Sequence, residues 1–359
     1  MNVPAHVRAL VNLMNNPIVR FVRQRWRLLL GILVSVLSLY LVVRGTDWVK
    51  LWAVFRTANY WWLIPAALVL LSTSIPRAFR WKLLIAPDAP ITIPRLVHIV
   101  NIGYLFNNTL PAKVGELVRA YLVGRSVEGG FAQALSTLLV ERLLDVLCVV
   151  VILLILLPFI AMPDWAMRGG LIFGTVAVAG MAVLVVLAKL GEPGIDKLWR
   201  VLGKVPVLGS AKVRAFVSRL VVGLQPITQP RLAPGILFWS AMLWLGYALL
   251  NYLVLAAFRM TNQVSFALTA FVLVATGFSM IIPSSPGAMG VFEGAVVLAL
   301  GLYNVDQSQA FAYGFGLHMF TNLLLIVFGL VGLRAESLSF GQVSSGISQA
   351  QPDTPSEEA

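Results

Sequence analysis

Cysteine is nearly absent: Cys148 stands alone in 359 residues. That excludes an intramolecular disulfide and any metal site built on several cysteines. Charge is scarce too, at 12% of residues, against a hydrophobic share of 59% and a mean hydropathy of +0.86. This apolar share exceeds that of soluble domains and excludes an ordinary soluble fold. Acid is short relative to base, with 15 Asp+Glu against 27 Lys+Arg and a net charge of +12. A cleavable signal pattern is missing, so the apolar run starting near Leu28 reads as an uncleaved first span. Catalytic signatures are missing as well: there is no HExxH, paired-aspartate nucleotidyl motif, P-loop or GxSxG. The expectation is therefore a non-enzyme with no cofactor and no metal.

What is present is long, continuous apolar sequence. Barrel strands would show short alternating segments, so these runs predict an all-α polytopic membrane protein. The full spans read as Leu28–Val43, Tyr60–Ile75, Phe131–Ile160, Gly170–Ala188, Gly235–Phe258 and Gln309–Leu333. Basic residues cluster between them: Arg8 to Arg27, Arg77 to Arg95, and Lys197 to Arg231. In a soluble protein such a charge suggests nucleic acid; here it reads as topology control and contact with anionic lipid. The positive-inside rule places these three segments in the cytoplasm, and both termini with them. Arg77 and Arg80 are read as ending span two, next to a lipid head group. Gly194–Val205 and Ser210–Leu224 read as interfacial amphipathic helices, with Val49–Phe55 a short equivalent on the other face. Residues 1–27 form a basic cytoplasmic segment and 28–334 the transmembrane domain. That domain divides into halves 28–160 and 170–334, with an amphipathic loop over 189–234. Residues 335–359, rich in Ser, Gln, Pro and Glu, are expected to be disordered.

Two further apolar stretches, Pro94–Gly124 and Val264–Leu302, are each interrupted by a polar phrase. The first reads NNTLPAKVGELVRAYLV from Asn107; the second reads PSSPGAMGVFEGAVVLAL from Pro283. Each sets small polar residues before a proline (Pro111, Pro286), a glycine four residues later (Gly115, Gly290), then a carboxylate (Glu116, Glu293). The arms of the first stretch are about 14 residues, or roughly 20 Å of helix, against a hydrocarbon core of ~30 Å. That predicts a re-entrant hairpin; the second stretch, with a longer leading arm, is either re-entrant or fully spanning. Charge parity lets the first enter from inside and the second from outside, an inverted-topology repeat. Polar breaks repeated at membrane depth point to a transporter's binding site. Phe131-Ala132 with Leu143-Leu144 echoes Phe311-Ala312 with Leu323-Leu324 at a constant offset.

Helices restarting at each break would aim N-termini at an anion, with Thr109 or Ser285 as caps. Candidate substrate-binding residues are Asn107, Asn108, Pro111, Lys113, Glu116, Arg119, Arg142, Ser284, Ser285, Pro286 and Glu293. Lys113, Glu116 and Arg119 at i, i+3 and i+6 are expected to pair along one helix face. Glu116, Glu141, Asp145 and Glu293 are candidates for ion pairing or proton coupling, since charge in an apolar span needs a partner or a proton. Arg142 offers a bidentate phosphate ligand. His98, Asn101, His318 and Asn322 read as satisfied polar groups within the bundle.

The stretches RAFRWKLL (Arg77–Leu84), NNTLPAKVGELVRAYLVGR (Asn107–Arg125), ERLLD (Glu141–Asp145) and IPSSPGAMGVFEGA (Ile282–Ala295) resemble the lysylphosphatidylglycerol synthase transmembrane-region family. It is also called the flippase-like domain family and is related to the N-terminal flippase region of MprF proteins. The resemblance runs from about Arg27 to Arg334. It implies lipid translocation or export across a prokaryotic plasma membrane. The soluble aminoacyl-transferase domain of full-length synthases is not present in this sequence, so lysyl transfer is not carried over. The leading expectation is a transporter for an anionic phospholipid or polyprenyl-phosphate-linked lipid, with membrane lipids as partners. The alternatives are a glycosyltransferase-type lipid-modifying enzyme using Glu141 with Asp145, or a structural partner in a lipid-biosynthesis complex.

Overall fold

The computed structural model describes residues 17–85, 89–110, 113–202, 210–280 and 284–350. All regular structure among these is helical. Helix α1 (Pro17–Arg44) turns by 89° into α2 (Trp48–Thr57). Asp47 caps α2 by accepting the Val49 and Lys50 N–H groups, which fixes the corner. Trp48, Val49 and Trp52 are exposed on α2, as an interfacial helix requires.

A 3₁₀ turn (Tyr60–Trp62) leads into α3 (Leu63–Ile85). This corrects the reading that span two stops near Ile75. Pro76 removes one intrahelical N–H without ending the helix. Arg77 and Arg80 therefore sit within α3, and both are buried rather than anchored at an interface.

The first interrupted stretch forms α4 (Ile93–Thr109) and α5 (Val114–Gly124); Pro111 lies outside the described residues. Helix α6 (Gly130–Leu156) follows, then α7 (Asp164–Leu202), kinked at Gly191 where φ is 52° and ψ −151°. The kink separates an apolar span from the segment expected to be amphipathic. Helix α8 (Ala211–Leu224) buries Val221, Gly223 and Leu224 and packs against α6 and α7. After α9 (Ala233–Ala257) comes the second interrupted stretch: α10 (Phe266–Ser279), a 3₁₀ turn (Pro286–Ala288) and α11 (Val291–Gly301). Helices α12 (Gln307–Ala335) and α13 (Phe340–Ala350) complete the fold.

Helix α13 corrects the expectation of a disordered tail over residues 340–350. Phe340 stacks on the buried Phe106 with centroids 4.3 Å apart, and Val343 is buried beside it. Apolar residues three apart give this short polar segment one face to dock.

Tyr60–Ile85, Asp164–Gly191, Pro230–Ala257 and Gln307–Ala335 are each long and apolar enough to cross a membrane. Helix α6 has 27 residues, roughly 40 Å, but every 18-residue stretch of it contains Glu141, Arg142 and Asp145. The arms α4, α5, α10 and α11 have 17, 11, 14 and 11 residues. At 1.5 Å per residue none reaches the ~30 Å of a hydrocarbon core. The second stretch, left open by sequence, thus has arms as short as the first.

Packing follows the two halves. Helix α3 lies along its counterpart α9; α4 packs on α12 as α10 packs on α6; α5 packs on α6 as α11 packs on α12. Two apolar cores result. One gathers α10 and α11 with the ends of α6 and α9 and the starts of α3 and α12. The other gathers α4 and α5 with the ends of α3 and α12 and the starts of α6 and α9. Exchanging the halves exchanges the cores, the arrangement an inverted repeat produces.

Candidate functional site

The charges of α3 and α6 fall between the two cores. Leu70 belongs to one core and Ala78 to the other, with Arg77 near the boundary; Leu138 and Val149 bracket Glu141 and Asp145 in the same way. Arg119 of α5 grips Glu141 in a bidentate pair, Nη2–Oε2 2.8 Å and Nη1–Oε1 3.2 Å. Arg77 Nη1 donates to Glu141 Oε1, and its Nη2 lies 3.7 Å from Asp145 Oδ2. Arg80 donates to Asp145 Oδ1 at 2.7 Å and lies 3.7 Å from Glu141. Arg142 joins this group to α5, bonding Glu116 at 2.7 Å and Asp145 at 3.4 Å.

Four arginines thus face three carboxylates, leaving one positive charge in excess. Burial is graded across the cluster. Side-chain exposure is 0% for Arg80 and Glu141, 13% for Asp145, 26% for Glu116 and 41% for Arg142. Isolated charge in such a place is costly, and paired charge is sustained only with further hydrogen bonds. Aromatic rings supply part of that environment: Arg119 lies 4.1 Å over Trp81 and Arg77 lies 5.7 Å over Tyr104. Tyr104 and Tyr247 hydroxyls are 3.1 Å apart, and Arg77 Nη2 reaches Tyr247 at 3.4 Å. Yet the Nε–H groups of Arg77, Arg80 and Arg119 are buried without an acceptor among the described residues. Surplus charge and spare donors together suit an oxyanion.

The two breaks meet beside one another. Lys113 Nζ donates to the Met280 carbonyl at the end of α10. A Cβ on Gly287 would lie 3.6 Å from Asn322 Nδ2 and 3.8 Å from the Asn108 carbonyl. Asn108 Nδ2 is buried and unpartnered among the described residues. Lys113, Gly287, Ala288 and Gly290 all have positive φ, so sharp turns are built into both tips.

The helix starts differ from expectation. Thr109 bonds back to Leu105 within α4, and Ser285 does not cap the 3₁₀ turn. Helix α5 starts after Lys113 and α11 after Gly290, so Glu116 and Glu293 are each the third helical residue. Glu293 accepts the Gly290 N–H at 2.7 Å, while Asn107 accepts the Gly115 N–H at 2.8 Å. One N–H donor at each helix start is therefore already engaged. Lys113, Glu116 and Arg119 do not pair with each other along α5; Glu116 and Arg119 pair across to α6.

The remaining candidates surround the second break. Glu293 is fully buried and binds His318 Nδ1 at 2.7 Å. Ser285 N–H donates to Ser35 Oγ, and a Cβ on Gly31 would lie 2.8 Å from the Ser284 carbonyl, so α1 packs against Ser284 and Ser285. Sequence reasoning missed Trp81, Tyr104 and Tyr247 around the arginines, because aromatic residues are commonplace in such helices. His318 is a satisfied polar group within the bundle, as its sequence suggested, but helical spacing carries no sign of its partner 25 residues away.

Long apolar helices, two short-armed broken hairpins and a buried ionic cluster between two cores define a polytopic α-helical membrane protein with a polar centre. The chain belongs to the family described as the lysylphosphatidylglycerol synthase TM region, whose model matches residues 28–329. It is similar to a UPF0104 membrane protein of Methanocaldococcus jannaschii, 22% identical over 227 residues, covering 63% of this chain and 91% of the relative. No solved structure matches it.

Proposed function

We propose that this protein moves a lipid with an anionic, phosphate-bearing head group across the cytoplasmic membrane. The observation that carries this reading is the arginine cluster, with one surplus positive charge and three buried Nε–H donors that have no partner among the described residues. A phosphate offers charge and several acceptor oxygens, the complement of that deficit. The exposure gradient supplies a route. A head group would enter at the half-exposed Arg142–Glu116 pair, exchange with its carboxylate, and advance toward Arg77 and Arg119. Aliphatic tails would stay in the bilayer, outside the short hairpin arms. The basic segments would face the cytoplasm, with both termini on that side. An enzymatic role for Glu141 and Asp145 finds less support, since arginines occupy both carboxylates.

The test is leaflet exchange in reconstituted proteoliposomes, using tail-labelled fluorescent phosphatidylglycerol and phosphatidylcholine with a membrane-impermeant quencher. Phosphatidylglycerol is expected to cross faster than in protein-free vesicles and faster than phosphatidylcholine. Arg142→Gln is expected to slow it. Equal rates with and without protein would reject the reading.

A further inference from the structure

The two broken hairpins carry a carboxylate at the same helical position, but its partner differs. Glu116, third in α5, faces Arg142, a guanidinium that stays charged throughout the physiological range. Glu293, third in α11, faces His318, an imidazole that can take up or release a proton. One half thus holds a fixed ion pair where the other holds a titratable one. We propose that Glu293 and His318 form a proton-binding site that biases the packing of the second hairpin. Its proton chemistry stands on geometry alone; its coupling to transport rests on the function proposed above.

The pair is sealed, with side-chain exposures of 1% and 4%. His318 Nδ1 lies 2.7 Å from Glu293 Oε1, and its ring stacks on Phe292 at 4.4 Å. With one shared proton the pair is neutral overall, as imidazolium with carboxylate or as imidazole with carboxylic acid. Loss of that proton leaves a lone buried anion, which is expensive in an apolar setting. Gain of a second protonates both groups and weakens Glu293 as an acceptor. Glu293 Oε2 is what caps Gly290 N–H, and Gly290 is pressed against α1, where its Cβ would lie 2.3 Å from the Ser35 carbonyl. Proton occupancy therefore acts on the start of α11 and its seat on α1. Asn322 follows His318 by four residues on the same face of α12 and sits beside Gly287, where the two hairpin tips meet.

Other charges approach the pair from few directions. Helix α10 has no ionisable residue, and α11 has only Glu293. On α1, Tyr40 and Arg44 are exposed, and Arg20, Arg23, Arg25 and Arg27 precede Ser35 by two turns or more. Helix α12 also carries Tyr313, which bonds Asn251, and Arg334 in its last turn. Helix α4 brings Arg95 and His98, both bound to Glu336, and Tyr104, bound to Tyr247. Helix α9 brings Tyr247 and Tyr252; α2 brings Lys50, paired with Asp306, and Arg56, lying over Trp52. None of these forms an ion pair with Glu293 or His318, so the two groups answer chiefly to each other.

The experiment is a pH titration of the full chain in nanodiscs, with imidazole nitrogens observed by NMR after ¹⁵N-histidine labelling. The sequence has three histidines, and His318→Gln identifies the signal. The expected result is a reversible, pH-dependent change in the His318 ring-nitrogen signal. In Glu293→Gln the pH response of that signal should change, because the imidazole no longer faces a carboxylate. The glutamine amide oxygen keeps an acceptor for Gly290, which protects the fold. A second readout, the carboxyl infrared band of Glu293 in His318→Gln, covers the case in which the first variant fails to fold; the pH response of that band should differ between wild type and the variant if the imidazole shares its proton. A His318 signal that does not titrate, or one unmoved by Glu293→Gln, would overturn the proposal. A shifted titration without any lipid movement would uphold the proton site and reject the transport function.

Discussion

Replacing Glu141 with glutamine should destabilise the protein far more than the same change at Glu116. Both substitutions keep side-chain volume and remove one negative charge. Their surroundings differ. Glu141 is fully buried, bonds the guanidiniums of Arg77 and Arg119 directly, and lies 3.7 Å from that of Arg80. After its loss Asp145 still faces Arg77 and Arg80, while Arg119 loses the carboxylate it grips. Breaking a buried pair by removing one partner costs about 3–5 kcal/mol, since the remaining charge stays buried. Glu116 pairs with Arg142, which is 41% exposed and can turn to solvent or to Asp145. A pair of that kind contributes about 0–1 kcal/mol. At roughly 2 °C per kcal/mol for a large domain, Glu141→Gln should lower Tm by on the order of 5–10 °C and Glu116→Gln by about 2 °C or less. Thermal unfolding in nanodiscs measures both. Combining Glu141→Gln with Arg119→Gln should recover part of the loss, because the second change removes an orphaned charge. Equal shifts for the two single variants, or a double variant as unstable as the sum, would show that Glu141 is not the buried counter-charge of Arg119.

Gly115→Ala should prevent folding or strongly lower yield: its Cβ would lie 1.9 Å from the Gly103 carbonyl, where α4 and α5 touch backbone to backbone. Gly301→Ala is the matched control, with nothing within 4 Å, and should leave Tm unchanged or raise it slightly, by up to about 1 kcal/mol of helix propensity. Asn107→Ala should cost roughly 1–2 kcal/mol in thermal unfolding, because Gly115 N–H loses its acceptor inside the first hairpin. Phe340→Ala removes the stack on Phe106, so hydrogen exchange over residues 340–350 should quicken while α9 and α12 are unaffected.

Much of the fold was legible because apolar length and interruption are one-dimensional signals. The long spans, the two breaks and their glutamates could all be read from order along the chain. Partnership could not. Arg77 and Glu141 are 64 residues apart, and nothing local distinguishes a buried arginine from one that anchors a span at the interface. The rule that bases end spans therefore cut α3 short at Ile75. Pairing to Glu141 and Asp145 is what lets the helix carry its arginines inward. Glu293 looked unpartnered for the same reason, and only the packing of α11 on α12 brings His318 to it. The equivalence of Glu116 and Glu293 was blurred in sequence, where they stand five and seven residues after their prolines. It became plain when helix starts rather than prolines set the register. The tail over residues 340–350 was misjudged because its polar composition hides a single docking face.

In the proposed function the arginine cluster holds an anionic head group during passage. Leaflet exchange of fluorescent phosphatidylglycerol by Arg77→Gln and Arg142→Gln, each verified as folded by its thermal transition, tests it most directly. Both variants should lose at least about tenfold in rate, the loss expected when a charge-assisted hydrogen bond of about 1.5–3 kcal/mol is removed. Wild-type rates in both folded variants would contradict it.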